Sequence, residues 1–245
     1  MDKIAENLLS TRKVTDIHGN IYPLHSETPR GQCEALQALI REIRPVTSLE
    51  VGLAYGISTL FICEALKEVK AKKHIILDPF QERVWKNIGI KNISDAGYSD
   101  MVEFRSEPSA EFLPLLLRNK VKIDFAYFDA NKTFDEIIVN AYYLMRLLNI
   151  GGVTVFDDCN FPGIRKACRY LSRLQSLSGF VISGKSRINH KKLMISKIVR
   201  HFPKGKWIFA KDLIETDEKM GINARCIGFR KIKEDDRHWA WFVDF

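Results

Sequence analysis

Acids close the short β-rich runs of this chain, and they are the residues best placed to do chemistry. Glu50, Asp78, Asp129 and the pair Asp157-Asp158 each stand at the carboxyl end of such a run. In an open parallel sheet, ligands bind outside the carboxyl ends of the strands. Carboxylates gathered on one rim repel one another, so a purely structural sheet has no need of them there. The first of these turns, Glu50-Val51-Gly52-Leu53-Ala54-Tyr55-Gly56, has two glycines four apart. Glycine permits positive φ and lets a ligand approach the backbone closely. The helix that follows offers unpaired N–H groups near Ser58 and Thr59. Asp78 is placed to accept hydrogen bonds from both ribose hydroxyls of a nucleoside. Its structural alternative is a helix N-cap or an Asx turn before Pro79. The dinucleotide pattern G-x-G-x-x-G is absent, since Ala54 stands where its second glycine belongs, and no G-K-[ST] follows to make a P-loop.

Other reactive side chains read as bystanders. His18, His25, His74, His190, His201 and His238 show no ligand spacing and read as surface or hydrogen-bonded histidines. Cys159 follows the acid pair but has no histidine partner in sequence. Tyr55, Trp85 and Phe161 are candidates for a pocket wall.

The elements that must position these groups alternate β-rich and helical patterns. Strands are predicted at Val46–Val51, His74–Leu77, Met101–Arg105, Ile123–Phe128 and Val153–Phe156. Helices are predicted at Gln32–Ile43, Ser58–Val69, Glu82–Ala96, Ala110–Arg118, Phe134–Leu148 and Ile164–Leu177, with Gly97 and the Gly151-Gly152 pair as stop signals. Phe180–Ser183 and Arg225–Lys231 read as a terminal hairpin. Residues 1–30 are loosely patterned and rich in turn formers, and are taken as an N-terminal extension. The expected fold is α/β: a Rossmann-like, doubly wound, mostly parallel seven-stranded sheet with an antiparallel C-terminal hairpin. No repeat or linker divides residues 1–245, so one domain is expected.

Bulk composition narrows the class. The chain has 245 residues, 46% hydrophobic and 28% charged, ordinary for a globular protein. No apolar run approaches the roughly 20 residues that span a bilayer, and the first residues do not read as a signal peptide. Five scattered cysteines without zinc spacing point to reduced thiols in a cytoplasmic protein. The net charge of +8 concentrates in 185–206, a basic insertion with eight Lys/Arg and no acid. It reads either as a solvated excursion or as a contact surface for an anionic partner. Trp239-Ala240-Trp241-Phe242 is apolar enough to dock on the body of the protein or on a second subunit, as in a homodimer.

Beyond these general features, Ser48 to Leu60 resembles the first motif of class I S-adenosylmethionine methyltransferases. Among these it is most similar to the branch of catechol and caffeoyl-CoA O-methyltransferases, and the likeness runs from about Thr28 to about Arg169. The resemblance implies S-adenosylmethionine held by Glu50, Gly52, Ala54, Tyr55, Gly56 and Ser58, with Ser58 at its carboxylate and Asp78 at its ribose. Val102 to Ser109 resembles the third strand and adenine loop, which puts Ser109 at the adenine. Asp124 to Lys132 resembles the fourth-strand signature, where an Asp matching Asp129 binds metal beside the cofactor and a Lys matching Lys132 sits by the reacting hydroxyl. Gly151 to Asp158 resembles the fifth, whose Asp and Asn match Asp157 and Asp158. Aspartate remains a hard oxygen ligand, so the resemblance implies Mg²⁺ or another divalent cation on Asp129, Asp157 and Asp158. A metal lowers the pKa of a bound hydroxyl, and Lys132, its own pKa depressed by the metal, would take the proton. The alternative for these acids is helix capping, with Lys132 neutralising them.

The implied activity is metal-assisted O-methylation of a small hydroxylated molecule. Three alternatives stand beside it: a metal-independent methyltransferase, a nucleic-acid methyltransferase, and a cofactor-binding module without turnover. Nucleic acid is disfavoured because Asp129-Ala130-Asn131-Lys132 is not the [DN]-P-P-[YF] signature of amino methylation on bases.

Overall fold

The computed structural model describes residues 2–185 and 216–243, together with Met194 and Ile198. Helices α1 (Lys3–Thr11), α2 (Arg30–Ile43), α3 (Ile57–Glu68), α4 (Ile88–Asp95), α5 (Ser109–Arg118), α6 (Phe134–Leu147) and α7 (Pro162–Leu171) alternate with strands. The strands are β1 (Lys13–Thr15), β2 (Ile21–Pro23), β3 (Thr47–Val51), β4 (Lys73–Leu77), β5 (Val102–Arg105), β6 (Ile123–Phe128), β7 (Leu148–Phe156), β8 (Leu177–Lys185) and β9 (Ala224–Lys231). Seven of them form one sheet in the order β5-β4-β3-β6-β7-β9-β8. Pairing is parallel from β5 through β7 and antiparallel at β7–β9 and β8–β9. This is the expected doubly wound sheet with an antiparallel end.

Burial on both faces explains the strand sequences. In β6, Phe125 and Tyr127 pack toward α2 and α3, while Ala126 and Phe128 pack toward α5, α6 and α7. Strand order reverses between β3 and β6, which opens a crevice at their carboxyl ends. Gly52, just past β3, and Asp129, just past β6, therefore start out as neighbours.

Three expectations are corrected. The N-terminal segment is ordered: Asp2 caps α1 through its side chain, and β1 pairs with β2 in an antiparallel hairpin. Ala5, Leu8, Val14 and Leu24 bury against α3 and α4, closing one end of the sheet. Helix α4 is far shorter than the predicted Glu82–Ala96, because Lys86 and Asn87 both take left-handed backbone, φ 54° and 56°, and residues 80–87 form turns instead. The last predicted helix ends at Leu171, and Leu177 already belongs to β8. The basic run 185–206 lies outside the described residues except for Lys185, Met194 and Ile198. Among the described residues, no helix is long and apolar enough to cross a membrane.

Candidate active site

A cleft of about 700 Å³ opens over the carboxyl ends of β3, β4 and β6. Its floor is the turn after β3. Gly52 has φ +97°, and a Cβ there would lie 2.1 Å from the Asp129 carbonyl oxygen, so the turn presses directly on the end of β6. Gly56, φ +82°, starts α3 without any side-chain cap, leaving the first N–H groups of that helix open toward the cleft. Ala54 also takes positive φ, 47°.

Asp78 holds this turn from below. Its Oδ2 accepts from the Leu53 and Ala54 N–H groups, both at 3.0 Å, and from Gln81 Nε2 at 2.9 Å. Its Oδ1 accepts from Phe80 N at 2.8 Å, the Asx turn expected as the structural alternative. A carboxylate oxygen has room for a second donor, so Oδ1 keeps acceptor capacity at the cleft wall.

Glu50 departs from expectation. It is fully buried beneath the turn and accepts from Ser58 Oγ at 2.7 Å, Thr59 Oγ1 at 2.8 Å and the His74 ring at 3.1 Å. It braces the start of α3 and does not line the cleft. The Ser58 hydroxyl is spent on Glu50, which leaves the Ser58 backbone N–H as the group available to a ligand carboxylate. His74, held also by Ser48 Oγ at 2.9 Å, is the hydrogen-bonded core histidine expected. Ser109, the first residue of α5, lines the cleft.

One wall is aromatic. The Tyr55 ring meets the Trp85 ring edge-on at 5.0 Å and the His25 ring at 5.1 Å, and the Tyr55 hydroxyl bonds His25 Nε2 at 3.0 Å. His25 read as a bystander in sequence; the ordered N-terminal segment carries it to the cleft. Phe161 is 45% exposed and is not part of the wall.

The acids after β6 and β7 converge opposite the turn. Lys132 Nζ bridges Asp129 Oδ1 at 2.6 Å and Asp158 Oδ2 at 3.1 Å. Arg225, from β9, reaches Asp157 Oδ1 with Nε at 3.4 Å and Asp158 Oδ1 with Nη2 at 3.2 Å. Buried Tyr127 donates to Asp157 Oδ2 at 3.0 Å and lies 3.5 Å from Asp129 Oδ2, which Thr28 Oγ1 also approaches at 3.5 Å. Asp157 Oδ1 accepts the Asp158 N–H at 2.6 Å. Burial and the neighbouring Asp129 push the Asp157 carboxyl above its ordinary pKa. Burial tends to lower the Lys132 ammonium, but Asp129 and Asp158 outweigh it and raise the net pKa. This is opposite to the depression that a basic role for Lys132 requires.

The divalent cation implied by the resemblance does not fit this arrangement. Two fixed cations already face the three acids, Lys132 Nζ beside Asp129 and Asp158 and the Arg225 guanidinium beside Asp157 and Asp158. Among the described residues, no group of three His, Cys, Asp or Glu side chains is disposed to hold a metal ion. Thr28, Tyr127 and Arg225 had no sequence signal, since none of them sits in a turn that marks it.

Residues 49–159 match the family model described as a methyltransferase domain. A protein of Arabidopsis thaliana provisionally named a caffeoyl-CoA O-methyltransferase is 28% identical over 155 residues, 62% of this chain and 63% of that protein. Caffeoyl-CoA O-methyltransferase 1 of Eucalyptus globulus is 26% identical over 58% of this chain and 60% of its own length. The chain thus spans less than two thirds of the curated relatives it matches. In solved structures, the fold is shared with an O-methyltransferase of Bacillus cereus in complex with S-adenosylhomocysteine. That likeness has a TM-score of 0.63 and 17% identity, and covers 95% of this chain and 92% of that one. An O-methyltransferase of tomaymycin synthesis from Streptomyces achromogenes, in complex with S-adenosylmethionine, gives 0.60 and 16%, over 94% and 90%.

Proposed function

We propose that this chain, whose residues 49–159 match a methyltransferase domain and whose fold is that of class I O-methyltransferases, transfers a methyl group from S-adenosylmethionine to a hydroxyl of a small molecule. The observation that carries the reading is the contact between the two halves of the site. The glycine turn that would hold the cofactor abuts Asp129 itself, so donor and acceptor groups share one cleft. The α3 N-terminus suits the cofactor's carboxylate, Asp78 Oδ1 a ribose hydroxyl, and Ser109 the adenine side.

The sulfonium methyl group is already activated, so the protein's task is alignment and charge. Lys132, protonated at neutral pH by its two carboxylate neighbours, donates to the acceptor oxygen and stabilises the negative charge that develops there. An Asp129 carboxylate oxygen takes the hydroxyl proton. As the O–CH₃ bond forms and the S–CH₃ bond breaks, S-adenosylhomocysteine and a proton are the other products. The Tyr55 and Trp85 rings shield the apolar side of the cleft from water.

The test is calorimetric titration of S-adenosylhomocysteine, followed by transfer of radiolabelled methyl groups to a panel of phenols, catechols and sugars. Wild type is expected to bind. Gly52→Ala is expected to lose binding, because backbone, not a flexible side chain, occupies the space its Cβ needs. Absence of binding by wild type sinks the proposal.

A further inference from the structure

We infer that Lys132 and Arg225 together occupy the place of a divalent cation, so that this chain presents built-in positive charge to its acceptor and works without a metal. The inference rests on the O-methylation reading. Its basis is the arrangement of charges among Asp129, Asp157 and Asp158.

Arg225 is the decisive residue. Its guanidinium spans Asp157 and Asp158, the two acids that the fifth-strand turn contributes. Strand β9 lies beside β7, and the Arg225 carbonyl accepts the Cys159 N–H at 2.7 Å, which ties the strand to that turn. Asp158 takes left-handed backbone, φ 53°, and its two oxygens then meet different cations, Arg225 at Oδ1 and Lys132 at Oδ2. A guanidinium keeps its charge at every physiological pH and presents a rigid fork of donors. Arg225 is 40% exposed and lines the cleft, so part of that fork faces the acceptor. A divalent ion would have to displace two tethered cations from beside these oxygens. Arg225 is thereby assigned as a residue that contacts the acceptor oxygen alongside Lys132.

The experiment is titration of Mg²⁺ and, separately, Mn²⁺ into the full chain, with and without S-adenosylhomocysteine. Wild type is expected to show no saturable binding. The double variant Lys132→Gln with Arg225→Gln leaves the three acids uncompensated, and is expected to bind divalent ions at least about tenfold more tightly than wild type. Thermal unfolding checks that the variant folds, and Arg225→Gln alone serves if it does not. Saturable binding by wild type that Asp158→Asn removes would overturn the inference. So would a folded variant that gains no affinity. S-adenosylhomocysteine affinity in the same samples tests the parent reading separately: its loss in wild type defeats O-methylation and leaves the metal result interpretable.

Discussion

Asp157 is a carboxylate with no solvent exposure, set beside two other acids. Burial and Asp129 raise its folded pKa above 3.8, so folding favours its protonated form. The sign of the linkage follows. Stability from this group is fully present below the unfolded pKa and is lost as pH rises through the folded value. Asp157→Asn removes the titration while keeping a polar partner for Tyr127. Its melting temperature relative to wild type is therefore expected to climb as pH increases from about 4 to 7. A wild type that gains on the variant over that range would show that Arg225 outweighs burial. At this scale, Asp129 and Lys132 were legible because they occupy a strand-end turn that sequence can locate. Glu50 occupies such a turn too, yet its side chain goes under the sheet's rim to Ser58 and Thr59. Position at a strand end does not reveal which way a side chain points.

The strands were the most legible elements. Ile123–Phe128 is a strand apolar at every position but Asp124 and stopped by an acid, and its bounds are those read from sequence. Helices were harder, because apolar spacing continues past the point where the backbone turns. The segment between β4 and α4 is the clearest case. Left-handed Lys86 and Asn87 end the continuity, and the turns they make bring Phe80 and Trp85 to the cleft. They also seat α4 against the glycine turn: a Cβ on Gly89 would lie 2.4 Å from the Ala54 carbonyl oxygen. Gly89→Ala is therefore expected to shift the turn that Asp78 holds. S-adenosylhomocysteine affinity should fall by about tenfold or more, and the melting temperature should drop, as for other overpacked sites. Unchanged affinity would mean that α4 can move away without disturbing the turn. The N-terminal helix and hairpin were missed because the turn formers of residues 1–30 hid them, although Ile4, Ala5, Leu8 and Leu9 share one face of the helix. Their stability comes from packing on α3 and α4.

The whole molecule is a doubly wound sheet whose last strand in sequence is not its last in space. Strand β9 lies between β7 and β8, and within the described sheet β8 pairs with β9 alone. The parallel core was readable from alternation of strands and helices. That insertion was not, because residues far apart in sequence decide it. A chain ending at residue 215 lacks β9, and is expected to show no cooperative thermal unfolding. Two-state melting of that fragment would show that β3 to β7 are self-sufficient. The insertion also has a meaning in time. During synthesis, before β9 emerges, β7 and β8 lack the strand that lies between them and Asp157 lacks its guanidinium. Lys132 is made with the acids it faces, whereas the guanidinium beside Asp157 and Asp158 arrives only with β9, so the segment after residue 215 completes both the sheet and the charge balance of the cleft.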